Sequence, residues 1–189
     1  MLELNEVLLE GEHSTLSMMA REGQVTCLTP PSVQSTSSSA LRWLYALMGF
    51  EHVVCGYISI DGEPLTVASA LAMRRMMAFV PRRLEAVGRL DVYEAPGVHD
   101  VFALRVNRRL SVSDGLLSEE MGRTGITGPS ARLLAVAVLL DRSILLVDSP
   151  AAASMAYLRL QAQKGRTVVV GSSDPIVIQH SDTVVELPG

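Results

Sequence analysis

The chain has 189 residues, a formal net charge of −4 and 48% hydrophobic residues, with a mean hydropathy of +0.29. That length suits one domain, 1–189, with a full core, and the lack of a basic block argues against nucleic acid as a ligand. No apolar run reaches the roughly 18 residues of a membrane span, and Met1-Leu2-Glu3-Leu4-Asn5-Glu6 lacks the basic and apolar regions of a signal peptide, so a cytoplasmic protein is expected, peripheral on the cytosolic face of a membrane at most.

Residues 1–9 and 16–20 alternate and read as strands, with Glu22-Gly23 as a turn and 25–28 as a third short strand. Residues 29–39 form a polar loop opened by Pro30 and Pro31. A helix is expected over 40–48, stopped by Gly49. Residues 53–60 read as a strand ending in the turn Asp61-Gly62, 67–75 as a helix, and 77–80 as a strand stopped by Pro81. The stretch 85–127 is irregular, with short helical patches near 98–105 and 116–121. Regular order returns with a helix over 129–140 that has Pro129 in its first turn.

Ser143-Ile144-Leu145-Leu146-Val147-Asp148-Ser149-Pro150 then carries four apolar residues into a carboxylate. An unbroken apolar run of this kind suits a strand buried on both faces of a parallel sheet. Its C-terminal end is where open α/β sheets bind ligands. A helix over 151–163, a strand over 167–170, a short helix over 175–180 and a last strand over 183–187 complete the chain. The order is β-rich first and alternating helix and strand afterwards, an α/β pattern with a mostly parallel sheet.

Smaller features are ordinary. Cys27 and Cys55 lie in strand-like stretches, which suits buried reduced thiols. His13, His52, His99 and His180 are scattered without metal spacing. Asp174 and Asp182 look like turn and cap residues. Met73, Met76 and Met77 beside Arg74 and Arg75 read either as a packed helix–strand junction or as an adaptable docking surface.

Five segments in order resemble the nucleotide-binding domain of ABC-type ATPases. Glu22-Gly23-Gln24-Val25-Thr26-Cys27-Leu28 is similar to the lead-in to the phosphate loop, and Gly56 to Leu65 to the strand and turn before the first small helix. Arg74 to Pro81 is similar to the lead-in to the Q-loop. Arg132 to Val147 resembles the helix after the signature motif and the Walker B strand, and Gly165 to Ser173 the strand before the switch histidine. The resemblance implies a P-loop-NTPase-like core, an N-terminal antiparallel β portion and a reduced helical subdomain within 85–127.

The same comparison, taken position by position, implies that the chemistry is gone. A phosphate loop needs glycines that let backbone N–H groups surround phosphates, and a lysine to neutralise them. No glycine stands between Gly23 and Gly49, and Lys164 is the only lysine against fifteen arginines. Ser35, Thr36, Ser37 and Ser38 stand where the vestigial phosphate loop would meet the helix and are the candidate cofactor-binding residues, since a helix N-terminus can still attract an anion; the alternative is plain N-capping hydroxyls, which need no ligand. Arg82 takes the Q-loop glutamine position, Ser149 the catalytic glutamate position and Ser173 the switch histidine position. The signature segment is Gly125-Ile126-Thr127-Gly128-Pro129, and Ala151-Ala152-Ala153-Ser154-Met155 lacks the D-loop aspartate.

Asp148 alone remains, a vestigial magnesium ligand, because Mg²⁺ is normally held jointly with substrate phosphates; with the phosphate site gone, a structural role is expected, Asp148 capping nearby backbone N–H groups or meeting the serine loop. The expectation is a pseudo-ATPase with no cofactor beyond weak ATP and magnesium binding. Its role would be structural or regulatory, in a complex with a membrane subunit, an active ATPase or a copy of itself. The alternatives are an ATP-binding subunit with weak activity in a partner-completed site, and a fold that binds another ligand in the emptied pocket.

Overall fold

An alternating strand and its bulge set the first sheet. In the computed structural model, which describes residues 1–31, 40–82 and 114–188, β1 (Leu2–Leu9) pairs antiparallel with β2 (Leu16–Ala20) and β4 (Val53–Ile60), and β5 (Glu63–Pro64) adds to β4. In β1, Leu2 and Leu4 are buried, and so are Val7 and Leu9. The switch from even to odd positions requires one extra residue, because side chains alternate faces. Glu6 supplies it, at φ 48°, and the register shifts there against both neighbours. Gly56 of β4 (φ 77°) faces this bulge. A Cβ at Gly56 would lie 2.3 Å from the Glu6 carbonyl oxygen, so only glycine fits.

The second sheet is parallel, with order β6 (Met77–Val80), β7 (Ile144–Asp148), β8 (Thr167–Gly171), β3 (Val25–Thr29), β9 (Thr183–Glu186). Every residue of β6, β7 and β8 is buried, as the unbroken apolar run of β7 requires. Leu146 and Val169 face one core cluster with α1 (Ala40–Leu47) and the inner side of the antiparallel sheet. Leu145, Val147, Val168 and Val170 face a second cluster with α4 (Gly128–Leu139) and α5 (Met155–Gln163). Each fully buried Leu or Val is worth about 1.5–3 kcal/mol. Gly171, at the end of β8, lets α1 approach: a Cβ there would sit 2.8 Å from the Ala40 Cβ. The mixed α/β architecture, parallel sheet flanked by helices plus an antiparallel N-terminal sheet, is the one the sequence implies.

Three elements differ in detail. α2 spans only Ala70–Arg74; before it, the Thr66 N–H donates to the Ser69 hydroxyl (2.8 Å) and the Ser69 N–H to the Thr66 hydroxyl (3.2 Å), so these residues form a turn instead. The helix expected over 151–163 opens with a tight 3₁₀ turn, Ala152–Ser154, where the Ser154 hydroxyl donates to the Ala151 carbonyl at 2.7 Å. The patch near 116–121 is a longer helix, α3 (Asp114–Arg123). The short α6 (Pro175–Gln179) is capped by Asp174, which accepts the Ile176 N–H at 2.8 Å, and Asp182 accepts the Val25 N–H at 2.8 Å; both aspartates are turn and cap residues. The patch near 98–105 lies outside the described residues.

Met73 and Met77 are buried, as is Arg74, whose guanidinium donates to the Met48 carbonyl (3.2 Å) and lies 5.1 Å from the Phe50 ring centre. The packed junction therefore accounts for Met73, Arg74 and Met77, while Arg75 and Met76 are exposed. Both cysteines are free, but only Cys27 is buried; Cys55 is exposed on β4.

Gly56→Ala should destabilise the protein by roughly 2–4 kcal/mol, from left-handed backbone strain plus the clash with Glu6, read as a lower urea midpoint. Burial pushes the Cys27 thiol up to about 11, so in the folded protein near pH 8 an aromatic disulfide reagent should titrate Cys55 quickly. Cys27 should respond only after denaturation.

Candidate functional site

The C-terminal ends of β6, β7 and β8 meet at Asp148. It is the last residue of β7, sits opposite Gly171 of β8 and is 8% exposed. A carboxylate so buried needs partners for its oxygens. The Ser149 hydroxyl donates to Oδ1 at 2.9 Å, and the backbone N–H of Arg82 donates to Oδ2 at 3.4 Å. Burial raises the Asp148 pKa; the Ser149 hydrogen bond, the Arg82 N–H and the Arg82 charge oppose the rise.

Ser149 holds this arrangement through its backbone. Its φ is 49°, in the left-handed region, and its N–H donates to the Gly171 carbonyl at 2.8 Å. The turn after β7 is thus fastened to the end of β8 before the chain leaves the sheet. Beside Asp148 opens a cavity of ≈190 Å³, walled by Val80, Ile126, Leu134 and Val147, with Ser130 and Arg82 among its polar lining.

The other sequence-derived positions gather around the same sheet ends. After β8, the Ser172 N–H donates to the Leu28 carbonyl (3.0 Å) and its hydroxyl accepts the Asp174 N–H (3.1 Å); Ser173 is exposed. The segment Gly125–Pro129 packs on the 3₁₀ turn: a Cβ at Gly125 (φ 75°) would lie 2.5 Å from the Ala153 carbonyl oxygen. Ser35, Thr36, Ser37 and Ser38 lie outside the described residues.

Lys164 closes the C-terminus of α5, ahead of β8. It is therefore at the opposite end of the parallel sheet from Asp148, separated by at least the length of β8, roughly 13 Å of strand. Among the described residues no group of three or more His, Cys, Asp and Glu side chains could hold a metal ion. The structure adds features that residue types alone do not carry: the Arg82 amide as a partner of Asp148, the strained Ser149 backbone, and the close approach at Gly171. The Asp148-Ser149 pair did signal one contact, since a serine hydroxyl next to a buried aspartate can reach it.

No family model matches the chain, and no curated protein does. Solved structures match over almost its full length. A bacterial ABC transporter cassette solved as a dimer is 17% identical, with a TM-score of 0.66, covering 99% of this chain and 94% of that one. The cbiO1 protein of Clostridium perfringens, part of the ABC transporter complex cbiONQ, is 16% identical, with a TM-score of 0.68, covering 100% and 87%. An ATP-binding subunit of an ABC transporter gives 16% and 0.68, covering 99% and 85%.

The chain has the fold of an ABC transporter ATP-binding cassette. At these identities the likeness concerns the fold alone, and the chemistry of the cassette must be judged from the residues present. For magnesium with ATP phosphates the residues fit poorly: the oxygens of Asp148 are engaged by Ser149 and Arg82, and the chain's single lysine is at the other end of the sheet.

The raised Asp148 pKa fixes a pH dependence. The native state holds this proton more tightly than the unfolded chain, so the contribution to stability is full below the ordinary value of 3.8 and is lost as pH rises through the folded value. Asp148→Asn should therefore lose less stability than wild type as pH rises from about 4 in urea unfolding. A steeper loss in the variant would contradict the burial argument.

Proposed function

We propose that this protein is a catalytically silent ABC cassette with a structural or regulatory role, working through protein contacts in a transporter-type complex on the cytosolic face of a membrane. The observation that carries this reading is the internal satisfaction of Asp148 by Ser149 and Arg82. Carboxylates that hold metals are often hydrogen-bonded as well, so these contacts weigh in this direction together with the missing phosphate site, since Mg²⁺ is normally shared with substrate phosphates and Lys164 is at the other end of the sheet.

The rest of the constellation agrees. Phosphoryl transfer rests on positioning and on neutralising phosphate charge. Arg82, Ser149 and Ser173 stand at the glutamine, glutamate and histidine positions, and Lys164 is too distant to neutralise a phosphate near Asp148. Losing one preorganised electrostatic group typically costs about 10²–10³ in rate. Several losses at once need not multiply, since such groups act as a unit, yet together they leave no evident route to turnover.

What remains is the cassette shape, and function then lies in the surfaces it presents. A dimeric cassette and a cassette within a transporter complex are among the similar structures, which supports a membrane subunit, an active cassette or a second copy as the partner. Among the described residues no helix is long and apolar enough to cross a membrane, so a membrane attachment is assigned to the partner.

Purified protein should hydrolyse ATP no faster than buffer. A micromolar site in about 1 mM ATP with Mg²⁺ would add about 4 kcal/mol of stability, several degrees in Tm; the expected shift is none. A rise of several degrees would instead favour the reading of an altered but competent nucleotide site.

A further inference from the structure

α3 carries a charged residue in the middle of its apolar stripe. Leu117, Glu120, Met121 and Thr124 recur at i, i+3, i+4 and i+7, the spacing of one helix face. Leu117 and Thr124 are buried, and Glu120 is only 5% exposed. Leu117 shares a core cluster with Leu133 and Leu134 of α4 and Tyr157 of α5, with Met121 and Ile126 packed against it.

A buried carboxylate is tolerated only when its oxygens are occupied. The Tyr157 hydroxyl donates to Glu120 Oε1, and Arg123 Nη1 donates to Oε2 at 3.0 Å. Tyr157 is itself buried, and its burial and the neighbouring Glu120 both raise its pKa, so the phenol keeps its proton and stays a donor. Arg123 belongs to α3 and would travel with Glu120. Tyr157 belongs to α5, so its hydrogen bond is a polar contact that crosses between the elements.

The turn after α3 lies against the 3₁₀ turn that leads into α5. The Thr124 hydroxyl donates to the Met121 carbonyl at 2.7 Å and accepts the Ile126 N–H at 3.4 Å, closing the helix end. Gly125 then lies against the Ala153 carbonyl so closely that no Cβ could intervene.

We propose that Glu120 and Tyr157 form a latch that fixes α3 and the turn 124–128 to α5, so that this helical segment and the parallel sheet behave as one rigid body. The latch extends the silent-cassette reading, resting on it only for the meaning of the rigidity. Displacing α3 would strip Tyr157 of its acceptor and uncover Leu117 and Met121 together.

Hydrogen exchange read by mass spectrometry on the full chain tests this, comparing wild type with Tyr157→Phe, Glu120→Gln and, as a destabilised control away from the latch, Gly56→Ala. Tyr157→Phe keeps the ring packing and removes only the donor. It should speed exchange across 114–128 by about tenfold or more relative to β7 and β8. Glu120→Gln, which can still accept from Tyr157, should give a smaller change in the same segment, and Gly56→Ala none that is confined there. Unchanged exchange across 114–128 in Tyr157→Phe, or acceleration shared equally with β7 and β8, would overturn the latch. Neither outcome bears on ATP binding, so failure of the latch and failure of the silent-cassette reading are separable.

Discussion

Asp148 can be buried at the end of β7 because two groups of its own chain occupy its oxygens. The Ser149 hydroxyl takes one and the Arg82 N–H approaches the other. Much of the local structure serves that placement. Ser149 accepts a left-handed backbone so that its N–H can reach the Gly171 carbonyl while its hydroxyl turns back to the carboxylate. Arg82 follows Pro81 at the end of β6, which lies parallel to β7, so the amide arrives beside Asp148 as a consequence of strand register. Asp148 thus joins the end of β7 to Arg82, just past β6, and the Ser149 N–H joins the same turn to the end of β8.

The two core clusters make that tie possible. The parallel sheet is buried on both faces, by α1 and the antiparallel sheet on one side and by α4 and α5 on the other. Both faces depend on glycine at a close approach. Gly171 admits the start of α1, and Gly125 admits the turn that packs on Ala153. The antiparallel sheet solves a different problem: the Glu6 bulge reverses the burial phase of β1, and Gly56 makes room for it. Glu120 and Tyr157 add a polar contact within the second cluster, where both groups are costly unless paired.

The strands and helices were legible because their signals are periodic or punctuated. β7 is an unbroken apolar run, the turn that stops α1 holds Gly49 at φ 76°, and the order of elements carries the cassette fold. What the residue types hid is local and conformational. Glu6 and Ser149 have positive φ without being glycine, and nothing in a residue's identity announces that. The break at Ala152–Ser154 arises because a serine hydroxyl competes for the helix's own carbonyl. Cys55 sits in a strand, as expected, but on its uncovered side. Of the candidate site, Asp148 was readable from sequence, and so was its capping of a backbone N–H; that the amide is Arg82's and that the Ser149 hydroxyl takes the other oxygen was not, and Ser35, Thr36, Ser37 and Ser38 fall outside the described residues.

The central claim is that the Asp148 carboxylate serves the fold and is closed to a metal–nucleotide complex. Electron paramagnetic resonance of Mn²⁺ with a non-hydrolysable ATP analogue, recorded with and without stoichiometric protein, tests it directly. The account predicts the same Mn²⁺–nucleotide spectrum in both samples. A broadened, immobilised Mn²⁺ signal that appears with the wild-type protein and disappears in Asp148→Asn would contradict it.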